Sequence, residues 1–190
     1  SIKYVDERAV LVVGGNGTAI PLLKQRAKDL NLEDRISFVP RVTPEKLFNY
    51  TYWSDIGIAL DRDISANLRF SLPNKLFEYI KAGTPMVASN LVERAHIIQQ
   101  YQVGLIAEQL QPEKIAEQIN KLLNDNQLYC SCKANCAIAA EELTWENEEK
   151  VLEKVYYKLK TKKREQLKQK LGVDILSVSD IIEIVRKYID

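Results

Sequence analysis

The chain has 190 residues, of which 46% are hydrophobic and 28% charged, and its formal net charge is +1. That length and balance suit a globular protein with a full core and exclude a wholly disordered chain, while a charge so near zero gives no global attraction to nucleic acid. No apolar run approaches the roughly 20 residues of a membrane span, and the first residues, S-I-K-Y-V-D-E-R, lack a signal-peptide pattern, so a cytoplasmic protein is expected.

Only eight residues precede the first predicted strand, and Ile2, Tyr4 and Val5 have no complete element of their own, which suggests a segment of a longer protein. A-V-L-V-V-G (Ala9 to Gly14) is a short, continuous, β-branched run ended by glycines, the pattern of a strand buried on both faces. A helix is predicted over about 18–31, a strand over 36–39, a helix over 44–53 and a third strand over 56–60. After the polar loop 61–72 comes S-L-P-N-K-L-F-E-Y-I-K-A-G-T-P-M-V, a helix that Pro73 opens and Gly83 closes, with Pro85 blocking its continuation. A fourth strand over 85–89, a helix over 92–101, a strand over 103–107 and a helix over 112–124 complete the alternation. Strands alternating with helices imply right-handed βαβ units and a parallel sheet that binds ligands at the carboxyl ends of its strands, a Rossmann-like half.

From residue 128 onward the pattern is helical only. Y-C-S-C-K-A-N-C places Cys130, Cys132 and Cys136 in a helix, and His96 is the one histidine. A structural zinc site needs about four ligands in recognisable spacings, so reduced thiols are expected and no metal site is predicted. His96, in V-E-R-A-H-I-I-Q-Q-Y, reads as a surface or capping residue. Another helix runs from Trp145 to about residue 170, with Trp145, Val151, Leu152, Val155, Tyr156 and Leu159 at helical spacing. Its end, K-L-K-T-K-K-R-E-Q-L-K-Q-K, sets seven Lys or Arg residues against Glu165 alone. The plain reading is a solvated face; the alternative is attraction to an anionic membrane surface or a lipid-linked acceptor, peripheral at the inner face of a membrane. Gly172 then separates a last short helix over about 180–188, where Asp180 and Glu183 fit an N-cap and N3 pair.

G-G-N-G-T (Gly14 to Thr18) lies between the first strand and its helix, where glycine lets backbone approach a phosphate and a helix N-terminus favours negative charge. It lacks the full G-x-G-x-x-G and the P-loop lysine, which argues against NAD or ATP; by itself it is equally a tight turn. The helix opened by Pro73 also begins at a strand's carboxyl end, so its N-terminus is expected to face the same crevice. Leu76, Phe77 and Ile80 form its buried stripe, with Asn74, Lys75, Glu78 and Lys81 opposite. There Lys75 can meet a diphosphate, and Glu78, one turn deeper, can accept hydrogen bonds from two ribose hydroxyls. The alternative is a solvated i, i+3 ion pair worth about 0.2–0.5 kcal/mol. Asp61, Asp63, Asn67 and Arg69 share the preceding loop without a distinguishing signal.

The succession V-L-V-V-G-G-N-G, I-S-F-V-P-R-V-T-P-E-K-L-F-N-Y-T-Y-W-S-D-I-G-I-A-L, S-L-P-N-K-L-F-E-Y-I-K-A-G-T-P-M-V-A-S and T-W-E-N resembles the C-terminal donor-binding domain of group 1 (family 4-like) glycosyltransferases with the GT-B architecture. The resemblance covers about residues 1–157 and is most specific in P-N-K-L-F-E-Y-x-x-A-G-x-P. It implies an α/β fold, one half of a GT-B enzyme, with a nucleotide-sugar-binding domain over 1–157 and a basic helical extension over 158–190. It further implies transfer of a glycosyl group, of hexosyltransferase type, from a nucleoside-diphosphate sugar to an acceptor hydroxyl, with retention and with neither metal nor other cofactor. The acceptor would be brought by an N-terminal domain that this segment lacks, so the isolated segment is expected to be inactive.

By the same resemblance, Glu78 matches the second glutamate of an E-x7-E signature, which holds the ribose, and Asn74 and Lys75 stand at the start of the signature helix. The first glutamate's place is taken by Phe70, a departure at the usual contact to the donor sugar. Gly15 and Gly17, with Asn16 and Thr18 between and beside them, match the glycine-rich turn near the diphosphate. Val39 to Val42, Arg41 among them, match the loop whose backbone lies beside the base. The family's basic pair on the preceding segment has no counterpart here, and no catalytic residue is assigned. Two alternatives stay open: a GT-B-type nucleotide-sugar epimerase, which needs acid and base groups not evident in the loops, and a non-catalytic glycosyltransferase-like binding module, which Phe70 and the basic tail favour.

Overall fold

A computed structural model describes residues 1–171. Among these, the expected alternation is present: β1 (Leu11–Gly14), α1 (Ile20–Asp29), β2 (Ile36–Val39), α2 (Pro44–Tyr52), β3 (Gly57–Ala59), α3 (Ala66–Arg69), α4 (Asn74–Ala82), β4 (Met86–Ser89), α5 (Val92–Tyr101), β5 (Gly104–Ala107), α6 (Pro112–Asn124) and α7 (Asn126–Glu142). Residues 1–142 form one compact unit, and α8 (Trp145–Leu171) belongs to a second. The helix predicted over about 180–188 lies outside the described residues. Helix α3, four residues inside the 61–72 loop, was not expected; Ser65 caps it by accepting the Leu68 N–H.

All strand pairs are parallel, but they form two sheets, β1-β2 and β3-β4-β5, where a single sheet is expected from the sequence. Tyr79 gives the reason. Alternate residues of a parallel strand turn their N–H and C=O to opposite neighbours. Gly57 turns toward β4, its N–H donating to the Pro85 carbonyl at 2.9 Å, so Ile58 turns to the free edge. There the Tyr79 hydroxyl donates to the Ile58 carbonyl at 3.3 Å, taking the acceptor that β1 would use. The Tyr79 ring lies against Gly57, where a Cβ would come within 2.5 Å of it.

The β4 side is the core. Met86 to Ser89 are all buried, as suits a strand covered on both faces. Val87 packs with Ala107, Ile115, Leu122 and Cys132, bordered by Ile58, Leu105, Ile119 and Leu128; α6 delivers its share at helical spacing through Ile115, Ala116, Ile119 and Leu122. A Cβ at Gly104 would strike the Met86 carbonyl oxygen, so only glycine lets β5 approach β4 there. Helix α4 packs on β3, α2 and α7 and buries Leu76 and Ile80 completely. Phe77, expected in that stripe, is only half-buried. The helix ends at Gly83 (φ 69), with the Gly83 N–H donating to the Ile80 carbonyl and the Thr84 N–H to the Tyr79 carbonyl. These paired bonds close the last turn as a Schellman motif.

The β1 side is built differently. Its strand is not buried on both faces as expected: burial alternates, and Val12 remains 47% exposed. Hydrogen bonds anchor this side. The Arg35 guanidinium donates to the carbonyls of Val5, Asp6 and Ala9. Asn120 of α6 accepts from the Asp6 N–H at 3.0 Å and donates to the Tyr4 carbonyl at 2.9 Å. The opening residues thereby form a 3-10 turn (Ile2–Tyr4) and bury Val5.

Cys132 and Cys136 of α7 are buried and Cys130 is exposed, all as free thiols. Burial pushes the Cys136 thiol up to about 12. In α8, Trp145, Val151, Tyr156 and Leu159 are exposed. No helix among the described residues is long and apolar enough to cross a membrane.

Candidate functional site

The carboxyl ends of β1 and β2 and the first turns of α4 border one cavity of about 1580 Å³. It exceeds the roughly 300–1,000 Å³ of common ligand pockets because it continues between the sheets, past Leu11, Val12, Ile56 and Ile58.

At its rim β1 gives way to Gly15, whose φ of 141° is open to glycine without strain. The Gly15 N–H donates to the Val39 carbonyl at 3.0 Å, and the Arg41 N–H donates to Asn16 Oδ1 at 3.0 Å. These two bonds tie the glycine turn to the loop after β2, so Gly15, Val39 and Arg41 reach the cavity wall together. Asn16 holds the loop instead of lining the cavity. Gly17 and Thr18 are exposed in the turn outside the lining. Helix α1 starts at Ile20, two residues later than expected at Thr18, because Gly17 to Ala19 make a turn in which the Ile20 N–H donates to the Gly17 carbonyl.

Helix α4 starts beside the same cavity without a side-chain cap, which leaves the positive end of its dipole for a ligand. Lys75 and Glu78 line the cavity; Asn74 is exposed outside the lining. The ion pair that Lys75 makes is not with Glu78 but with Asp61, whose Oδ2 lies 3.3 Å from Nζ. The same Oδ2 lies 2.5 Å from Arg94 Nη1. Burial pulls the Asp61 carboxyl up, but the Arg94 hydrogen bond and the Lys75 and Arg94 charges outweigh it and hold the group below its ordinary value. The Asp61 N–H donates to Ser89 Oγ at 3.1 Å, fixing the loop after β3 to the end of β4. Asp63 and Arg69 pair with each other at 2.9 Å on the surface. Phe70 is 56% exposed, and His96 is exposed on α5.

Sequence reasoning missed Arg94 and could not single out Asp61. One signal was present: an arginine in the first turn of a predicted helix, where the dipole disfavours a cation. Among the described residues no group of three or more His, Cys, Asp or Glu side chains could hold a metal ion. A helix start without a side-chain cap, a lysine in its first turn and a carboxylate one turn down are suited to an anion joined to a hydroxylated group.

The comparisons agree with one another. A curated relative, an uncharacterized glycosyltransferase of Haemophilus influenzae, is 26% identical over 141 residues, which cover 74% of this chain and 37% of that protein. The chain thus spans well under half the length of that relative. Among solved structures it is similar to WaaG, a glycosyltransferase involved in lipopolysaccharide biosynthesis, at a TM-score of 0.61 and 20% identity, covering 74% of this chain and 37% of that one. It is also similar to Anabaena Alr3699/HepE in complex with UDP and glucose, at a TM-score of 0.68 and 15% identity, covering 82% and 43%. These likenesses show the fold, parallel sheets flanked by helices as in half of a GT-B protein. The family model for glycosyl transferases group 1 matches residues 1–138. The chain belongs to the group 1 glycosyl transferases.

Proposed function

We propose that residues 1–157 are the donor-binding part of a glycosyltransferase, taking a nucleoside-diphosphate sugar whose glycosyl group passes to an acceptor hydroxyl carried by a further domain. The observation that carries this reading is that Gly15, Val39, Arg41, Lys75 and Glu78 all line one cavity, in a member of a glycosyl transferase family. The UDP and glucose bound by Alr3699/HepE support a donor of the same class.

In this reading the diphosphate rests over the Gly15 backbone and the start of α4, with Lys75 as its cation. Glu78 accepts from the two ribose hydroxyls, and the base lies along the 39–42 loop. As the glycosidic bond to the diphosphate breaks, negative charge grows on the departing phosphate oxygens. Fixed donors and a cation aimed at that position stabilise the charge without reorganising. Transfer without a metal or other cofactor is an expectation of the family resemblance. Hexosyl transfer and retention are the finer expectations of the family. The basic stretch of α8 would draw the protein to an anionic membrane surface or a lipid-linked acceptor, with a strength that falls as salt rises.

A second reading, a non-catalytic binding module, is favoured by exposed Phe70 at the place of the signature's first glutamate. Donor hydrolysis or transfer by the full-length protein separates the two, since a module turns over nothing. Titration of the chain with UDP and with GDP, followed by backbone amide shifts, tests the site: shifts are expected at 14–18, 39–42 and 74–78. Shifts confined to 158–170 would mean only attraction to the basic stretch and would sink the assignment.

A further inference from the structure

Arg94 is the one charged side chain buried among the described residues, with 1% of its surface exposed. A charge taken out of water is costly unless it is paired, and in the first turn of α5 the helix dipole opposes it. Its counter-charge is Asp61, 2.5 Å from Nη1. Nη2 donates to Ser71 Oγ at 3.2 Å, Nη1 also donates to the Ala59 carbonyl at 3.5 Å, and Nε has no partner. One guanidinium therefore joins the end of β3 to the loop residue just ahead of α4.

The same Asp61 oxygen stands 3.3 Å from Lys75 Nζ. One carboxylate is shared by two cations, so the cluster is left with a single positive charge. Coulomb attraction weakens with distance and with solvent. Arg94, nearer and desolvated, holds the carboxylate; Lys75, farther away and with 37% of its side chain exposed, keeps its charge for the cavity it lines. Resting on the nucleotide reading of that cavity, we infer that Arg94 is a positioning residue for phosphate recognition. Its buried guanidinium occupies Asp61, so the carboxylate aims Lys75 at the ligand without neutralising it.

UDP titration of the full chain tests this. Arg94→Met leaves Lys75 as the only cation for Asp61, and UDP affinity falls about tenfold, the loss of one charge-assisted contact. Removing the carboxylate as well, in Asp61→Asn with Arg94→Met, releases Lys75 and restores affinity to within about threefold of wild type, a coupling that a double-mutant cycle reads directly. A merely structural Arg94 gives the reverse order, with the double variant no tighter than the single, and that result overturns the inference. Arg94→Lys keeps a cation on Asp61 if Arg94→Met does not fold, while giving up the second nitrogen that reaches Ser71. Because the charge facing Asp61 remains, UDP affinity is then expected within about threefold of wild type, and a folded Arg94→Lys that loses tenfold or more overturns the inference too. Following the Asp61 carboxyl by NMR without nucleotide adds an independent readout: its titration moves up in Arg94→Met, and an unmoved titration contradicts the pairing. UDP bound equally by wild type and Arg94→Met removes the role of Arg94 alone. UDP bound by neither, with the Asp61 titration moved, removes the nucleotide reading and with it the role in binding.

Discussion

The two sheets hold their places by different physics. Around β4 every residue from Met86 to Ser89 is buried and packing decides the geometry. Around β1 the strand is half exposed, and the Arg35 and Asn120 hydrogen bonds fix the chain. The candidate site lies across both, taking Lys75 and Glu78 from the packed side and Gly15, Val39 and Arg41 from the hydrogen-bonded side. A binding site of this kind combines a rigid floor with a wall whose position rests on a few polar contacts.

Truncation should expose the difference. Leu76→Ala on the packed side leaves a cavity in a fully buried place and is expected to cost about 2–5 kcal/mol, read from denaturant unfolding. A cost below about 1 kcal/mol would mean that packing does not govern this half. Asp61→Asn should come next, at about 1–3 kcal/mol near neutral pH, because it strips the buried Arg94 of its counter-charge. The native state holds the Asp61 carboxyl below its ordinary value, so its contribution is fully present above the unfolded value of about 3.9 and is lost as pH falls through the native one. The gap between wild type and Asp61→Asn should therefore close on acidification below about pH 4. A gap independent of pH would show that the ion pair is not its source.

On the hydrogen-bonded side, Arg35→Met removes donors from three carbonyls and should cost about 1–2 kcal/mol. Amide exchange should quicken first over residues 5–9 and 36–39, and a loss spread evenly over β4 and β5 would break the distinction between the two regions. The smallest effect is expected from Val12→Ala, within about 0.5 kcal/mol, since nearly half of that side chain is exposed.

Much of the fold is legible in the sequence because burial writes periodicity. The buried run Met86–Ser89 and the apolar face of Pro112–Asn124 mark β4 and α6, and Pro73 and Gly83 bracket α4. What was not legible depends on contacts far apart in the chain. Nothing near Ile58 announces that a tyrosine 21 residues later takes its carbonyl, so the split of the sheet and the exposure of Val12 could not be read. Helix α3 is too short for any period. Within the candidate site, Gly15, Lys75 and Glu78 could be singled out from their places at strand and helix ends, and the 39–42 loop only from the family resemblance. Asn16, Gly17, Thr18 and Asn74, singled out with them, lie outside the cavity lining. Asp61 looked like any acidic loop residue, since its partner Arg94 lies 33 positions away.

The most direct measurement is UDP affinity of Glu78→Gln in the full-length protein, beside its unfolding curve. Glu78 is exposed on α4 and lines the cavity, so the change should leave melting temperature nearly unaltered. Loss of the charged acceptor weakens bonds worth roughly 1.5–3 kcal/mol together, an affinity lower by about tenfold to a hundredfold. A folded Glu78→Gln that binds UDP as wild type does would contradict the ribose role of this carboxylate and leave the polar side of α4 as solvated surface.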